Sequence, residues 1–323
     1  MRVLSGIQPS GKLHLGNYFG MMKRMVEYQE NNELFTFIVN YHALTSVFDA
    51  ERLREDTFDA VCDFLALGID PDKSVFWVQS DVPEVTELTW LFSNVTGMGL
   101  LERAHSYKDK MVKGVPASLG LFSYPVLMAA DILAFGGEKV PVGKDQKQHV
   151  EMTRDIAEKF NTTYGETFII PEADIAEDVA TVPGIDGQKM SKSCGNAIEI
   201  FTDEETLRKK VMSIKTDATP VDEPKPIEDN VLLDIYSVFL DEKEKEELKE
   251  RFLTPGLKYG EVKKELAGVI WEYFTPYRGE RARYANDKGE VARILKKGAE
   301  KARETAAYYM DLARKRVGLN YWD

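Results

Sequence analysis

Three short, almost wholly apolar runs mark the first 80 residues, and a stretch of helical periodicity separates each from the next. Val3-Leu4-Ser5 ends at Gly6, residues 34–39 form the second run, and Val75-Phe76-Trp77-Val78 the third. Between them, residues 15–30 space Tyr18, Met21, Met22, Met25, Val26 and Gln29 by three or four, and residues 51–67 do the same with Leu53, Thr57, Val61, Phe64 and Leu65 before stopping at Gly68. Strands without polar alternation need cover on both faces, which a parallel sheet wrapped by its own crossover helices supplies. The pattern predicts an α/β fold with a Rossmann-like, doubly wound parallel sheet. A further strand is expected over 139–142, between helices over 124–135 and 146–160.

At 323 residues the chain exceeds what one compact core usually holds. Residues 84–122 carry helical signals with no strand and read as a helical insertion in a catalytic domain spanning 1–200. Strand signals stop at Thr202, and 219–226, with Pro220, Pro224 and Pro226, reads as a linker or exposed loop. Helices are expected over 229–240, 242–253, 259–274 and 280–318, giving an all-α domain over 201–323 whose amphipathic last helix has a face able to pack back on the catalytic domain. The formal charge of −12 argues against a protein that coats nucleic acid indiscriminately, yet leaves room for an RNA met by local basic stretches such as 103–113. No window approaches the roughly 18–20 apolar residues of a membrane span, and the N-terminus lacks a signal-peptide core. Cys62 and Cys194 lie far apart and match no metal spacing. A cytoplasmic protein with reduced thiols, no metal site and no membrane partner is expected.

Two short strings carry chemistry. Leu13-His14-Leu15-Gly16-Asn17 opens the first helix, where unpaired N–H groups and positive potential suit a phosphate. It lacks the G-x-G-x-x-G spacing, so a nicotinamide cofactor is not expected. Alone, the string reads equally as a surface turn with a solvated histidine. Lys189-Met190-Ser191-Lys192-Ser193 lies between Gly187 and Gly195. Two cations in such a loop suit a leaving pyrophosphate, stabilising charge where it develops. A third set, Tyr124, Met128 and Asp131, falls on one helical face. It offers an aromatic ring, a thioether and an acceptor, which suits indole, a donor that cannot accept. The same spacing also fits a core helix with a paired aspartate. Pro125 is acceptable near a first turn, so this helix is expected to begin about there.

His14-Leu15-Gly16-Asn17 resembles the HIGH motif, and residues 189–193 match the KMSKS motif, of class I aminoacyl-tRNA synthetases. With Ser5-Gly6-Ile7-Gln8-Pro9-Ser10-Gly11 and Val142-Gly143-Lys144-Asp145-Gln146-Lys147-Gln148-His149, nearly the whole chain is similar to the bacterial tryptophanyl members of the tryptophan–tyrosine subclass. The resemblance implies ATP-dependent activation of L-tryptophan, transfer to the terminal ribose of tRNA(Trp), a helical C-terminal anticodon-binding domain, and Mg²⁺ held mainly by the phosphates. Lys189, Lys192, His14 and Asn17 would be catalytic. Gln8, Pro9, Ser10, Gly16, Asn17, Gly143, Asp145, Lys189, Met190, Ser191 and Lys192 would bind ATP, with Asp145 on the ribose. Gly6, His42, Tyr124, Met128, Asp131, Val142 and Gln146 would bind tryptophan, with Gln146 on its ammonium. Family members pair as homodimers, which the apolar Leu88, Trp90, Leu91, Phe92 and Leu100 permit.

The similar tyrosine enzymes make tyrosine the rival substrate, but they carry glutamine where this chain has Met128, which favours tryptophan. A non-catalytic relative would usually have lost the motif lysines. A small-molecule nucleotidyltransferase would not need the helical C-terminal domain. The chain departs from the family at Lys144, where glutamate is common, and at Leu4, where an aromatic residue often floors the pocket. No cysteine lies beyond residue 194, so no iron–sulfur cluster is expected.

Overall fold

The computed structural model describes residues 1–9, 11–104, 118–143, 146–175 and 182–322. The chain forms two compact units: residues 1–11, 25–177 and 284–323 make one, residues 12–24 and 178–283 the other.

The first unit is α/β. Its strands are β1 (Arg2–Ile7), β2 (Glu33–Ile38), β3 (Val75–Val78), β4 (Lys139–Pro141) and β5 (Glu172–Asp174), in the order β3-β2-β1-β4-β5. Every neighbouring pair is parallel, with β1 and β2 aligned from Arg2 opposite Glu33 to Ile7 opposite Ile38. This is the Rossmann-like fold expected from the apolar runs. Phe37 stacks on Trp77 at 4.6 Å and 13°, and Phe135 closes against Trp77 at 4.8 Å. Order reverses between β1 and β4, and in open α/β sheets the crevice beyond the carboxyl ends of such strands receives ligands.

Some elements differ from expectation. β5 is Glu-Ala-Asp, too short and polar to give an apolar run. The helix carrying Tyr124 spans Leu119–Leu133, so Pro125 lies inside it rather than in its first turn. Ser118 caps this helix by accepting from the Leu121 amide at 3.1 Å. Interior proline forfeits one main-chain bond. Here the ring is buried in the core, which offsets part of that cost. The inserted segment is helical at Glu84–Ser93 and Met98–Glu102, while 105–117 lies outside the described residues. Leu88, Leu91 and Phe92 are buried in the unit's own core, leaving Trp90 exposed.

The last helix, Lys288–Val317, also belongs to this unit and packs on β3. A Cβ on Gly298 would stand 1.8 Å from the Phe76 carbonyl oxygen, so only glycine fits that approach. Ala299, Ala302, Ala306 and Ala313 continue the close-packed face. Arg303–Glu84 at 2.9 Å and Arg314–Glu87 at 2.5 Å clamp its rim.

The second unit is helical beyond residue 203, with Glu204–Met212, Val231–Ser237, Glu242–Leu253 and, up to residue 283, the long Tyr259–Asn286. The helix at 204–212, capped by Asp203, was not expected. The break expected between 274 and 280 is absent; the helix runs through Pro276 and ends at Asn286. Its successor starts where the Asp287 side chain accepts from the Glu290 amide at 2.8 Å, an N-cap that sets the start at 288 rather than at the expected 280. Loop 219–226 is exposed as expected, except for buried Lys225, whose ammonium donates to the carbonyls of Pro220 and Glu223.

Candidate active site

In the α/β unit, the helix from Leu119 brings Asp131 under the carboxyl ends of the strands. Its carboxylate is 2% exposed and accepts from two side chains. His42 Nε2 lies 2.8 Å from Oδ2. Gln79 Nε2 lies 2.8 Å from Oδ1 and 2.7 Å from Oδ2. The amide of Gln8 approaches the His42 carbonyl at 3.5 Å. The His42 ring meets Tyr124 edge-on at 6.2 Å.

Tyr124 opens a second relay. Its hydroxyl donates to His149 Nε2, and His149 Nδ1 donates to Gln146 Oε1 at 2.8 Å, a set that is mutually consistent for a neutral imidazole protonated on Nδ1. Burial pushes the Tyr124 hydroxyl well above the ordinary phenol range, keeping it a donor. Gln146 caps the helix Lys147–Tyr164, so its position is fixed by the turn after β4, where its amide bonds the Gly143 carbonyl at 2.9 Å. Met128 and Val142 are half-buried against the same core. Gly6 is the penultimate residue of β1, where a Cβ would meet Val39 Cγ1 at 2.8 Å. Gln8, His42, Tyr124, Asp131 and Gln146 are thus gathered by the sheet's carboxyl edge. Ser10 and Asp145 lie outside the described residues.

Sequence reasoning missed Gln79 and His149. Gln79 is the first polar residue after the apolar run of β3, a position that faces the crevice of a parallel sheet. His149 stands one helical turn beyond Gln146.

In the second unit the two short strings meet. His14 caps Leu15–Asn17: its Nδ1 accepts from the Asn17 amide at 3.3 Å, and Asn17 Oδ1 accepts from the His14 amide at 3.1 Å. The Leu15 amide bonds the Ile198 carbonyl at 3.0 Å, and the Ile200 amide bonds the Leu13 carbonyl at 3.0 Å. The Gly16 amide points at Met190 Sδ, 3.4 Å away. A third missed residue, buried Asn196, holds the lysine loop: it accepts from the Ser191 amide at 2.7 Å and donates to Asp186 at 2.8 Å and to the Lys189 carbonyl at 3.2 Å. Lys192 opens a short 3₁₀ turn, which ends at Gly195 with φ 65°. Tyr18, next to the first string, is locked edge-on against Phe274 at 5.0 Å and bonds the Tyr273 hydroxyl at 3.1 Å.

Burial, and then the nearby Lys192 ammonium, lower the His14 pKa from 6.5 to about 4. The ring is neutral at pH 7, and because Nδ1 accepts, the proton sits on Nε2 as a donor. The unfolded chain takes up this proton below about pH 6.5, while the folded chain resists it until about pH 4. The unfolded state therefore binds more protons in that window, and the stability fully present above it is lost as pH falls from 6.5 to 4. His14→Asn keeps a capping oxygen and removes the titration. Its melting temperature is expected to fall less steeply than wild type across that window, and an unchanged slope would clear His14 of the effect.

Residues 1–275 match the family described as tRNA synthetases class I (W and Y). The chain is 53% identical to the tryptophan–tRNA ligase of Fusobacterium nucleatum over 319 residues, covering 98% of both chains. It is 52% identical to that of Campylobacter jejuni, covering 99% of this chain and all of the relative. The crystal structure of the tryptophanyl-tRNA synthetase from Campylobacter jejuni complexed with ADP and tryptophan superposes with a TM-score of 0.93 at 52% identity, over 98% of this chain and 100% of the other. The tryptophanyl-tRNA synthetase of Mycoplasma pneumoniae gives 0.83 at 30% identity, over 99% and 98%.

Proposed function

The chain belongs to the class I tRNA synthetases of the tryptophan and tyrosine group, and from that premise we propose that it activates L-tryptophan with ATP and loads it onto the terminal ribose of tRNA(Trp). The observation that carries the choice of amino acid is the buried Asp131 carboxylate, held by His42 and Gln79 on the helix that also carries Tyr124 and Met128. Indole offers one N–H and an apolar bicycle, which an acceptor beside a thioether and a ring satisfies. A tyrosine substrate is not favoured: the relatives at about half identity are tryptophan ligases.

The tryptophan carboxylate, already ionised at pH 7, attacks the α-phosphorus of ATP. The P–O bond to the β-phosphate breaks, pyrophosphate leaves with the electron pair, and tryptophanyl-adenylate remains. A terminal ribose hydroxyl of the tRNA then attacks the activated carbonyl, loses its proton and expels AMP. No protein nucleophile is needed, so catalysis rests on positioning and charge stabilisation. Asp131 accepts the indole N–H, and Gly6, His42, Tyr124, Met128 and Val142 complete the amino-acid site. Gln146, oriented by His149, takes the ammonium. Gln8, Pro9, Ser10, Gly143 and Asp145 serve the adenosine. His14, Gly16 and Asn17 hold phosphate oxygens, and Lys189, Met190, Ser191 and Lys192 take the leaving pyrophosphate. The groups assigned to the phosphates are amide, imidazole and ammonium donors rather than carboxylates, which fits a Mg²⁺ ligated mainly by phosphate oxygens and neutralising their charge.

The helices within 201–323 read the anticodon in this proposal, and the exposed Trp90 and Met98 mark the surface for a second copy of the chain. Among the described residues no helix is long and apolar enough to cross a membrane, and we assign the enzyme to the cytoplasm. Pyrophosphate exchange into ATP, run with each of the twenty amino acids, should proceed with tryptophan alone. Exchange with tyrosine and none with tryptophan would overturn the assignment.

A further inference from the structure

Gln79 lies outside every motif, yet it is 1% exposed and directed at the most buried carboxylate of the site. Its orientation is fixed from both ends. Oε1 accepts from the Tyr41 amide at 2.9 Å, and Nε2 faces both oxygens of Asp131. Turning the amide over would set oxygen against carboxylate and NH₂ against N–H, so the donor can point only one way. On the other side His42 Nε2 occupies a further position on Oδ2.

A carboxylate offers about four acceptor positions. Gln79 reaches two of them and His42 a third, which leaves one. We propose that Gln79 is a specificity-determining positioning residue: by saturating Asp131 from beneath β3 it leaves a single acceptor vacancy, and that vacancy demands an N–H on the substrate ring. The inference rests on the reading that Asp131 receives the indole N–H, and deepens it. Without the amide, the buried carboxylate has a free oxygen and room to turn. A rotated acid no longer aims one vacant acceptor position at the ring, and tolerates a ring with sulfur in place of N–H. Selection for indole then weakens even though Asp131 is still present.

The test compares tryptophan with 3-(benzothiophen-3-yl)alanine, its isostere with sulfur for N–H, as kcat/KM in pyrophosphate exchange by the full-length enzyme. Wild type should prefer tryptophan by between about 10² and 10⁴, since the isostere leaves a buried acceptor unpaired. Gln79→Met keeps length and removes the donor. It should lower the preference about tenfold or more while leaving KM for ATP unchanged. Gln79→Leu also carries no donor, in a different shape, and should lower the preference in the same way, which preserves the readout where the methionine variant folds poorly. Equal losses for both amino acids, with the preference unmoved, would make Gln79 merely structural and overturn the proposal. Asp131→Ala, which leaves no acceptor, separates the two layers. A preference unmoved by Asp131→Ala refutes the indole–aspartate reading itself. A preference lost in Asp131→Ala but kept in both Gln79 variants refutes only the role of Gln79.

Discussion

Lys192→Ala is expected to slow tryptophan-dependent pyrophosphate exchange by about 10²–10³, the scale on which one fixed donor at a developing charge contributes elsewhere. The loss should fall on kcat and on pyrophosphate binding, and should leave tryptophan affinity almost unchanged. The reason is local. After burial, the Lys192 ammonium is the charge that lowers the His14 pKa, which places its field at the first string. Its backbone begins the turn that Asn196 and Gly195 stabilise, which holds the side chain's starting point without help from a ligand. Lys192→Arg keeps the charge but changes its shape and reach, and should recover only part of the rate. Wild-type exchange in the alanine variant would remove Lys192 from the chemistry.

Gly298→Ala is expected to be strongly destabilising, with the closest clash of an added methyl group among the described glycines. The added carbon would sit 1.8 Å from the Phe76 oxygen and 2.6 Å from its carbonyl carbon, both main-chain atoms of a buried strand. Ordinary carbon–oxygen approach begins at about 3.3 Å, so the helix must withdraw by about 1.5 Å. Withdrawal loosens Ala299, Ala302 and Ala306, which are packed on the same side. Overpacking and the gap it opens cost roughly 3 kcal/mol together, a melting temperature lower by about 6–12 °C. Gly268→Ala, with nothing within 4 Å of the new carbon, is the opposite case. It should leave stability unchanged or raise it by up to about 1 kcal/mol. A Gly298→Ala protein melting with wild type would mean that the last helix does not rest on β3.

β1, β2 and β3 could be read from the sequence because each is a largely apolar run of the kind a doubly covered sheet accommodates, and β4 because the short stretch 139–142 lies between two helical segments. β5 could not, because three residues of Glu-Ala-Asp carry no pattern. The start of the helix carrying Tyr124 was misplaced because Pro125 was taken to lie near its first turn, and the break expected between 274 and 280 is absent; the two helices begin at the Ser118 and Asp287 caps. Tyr124, Asp131 and the two short strings were legible as types at suggestive spacings. Gln79 and Asn196 were not, because their significance is held by partners. Gln79 meets Asp131 across 52 positions, and no local periodicity encodes a long-range pair of that kind. His42 lies 89 positions from the same carboxylate and entered the site only through family likeness.

The bonds that join residues 13–15 to 198–200 run between amides and carbonyls alone. A scan that trims side chains one at a time leaves every such bond in place. Coupling between these two segments, far apart in the chain, is therefore written into the peptide groups, where most substitutions cannot reach it and only proline, lacking the hydrogen, would break it.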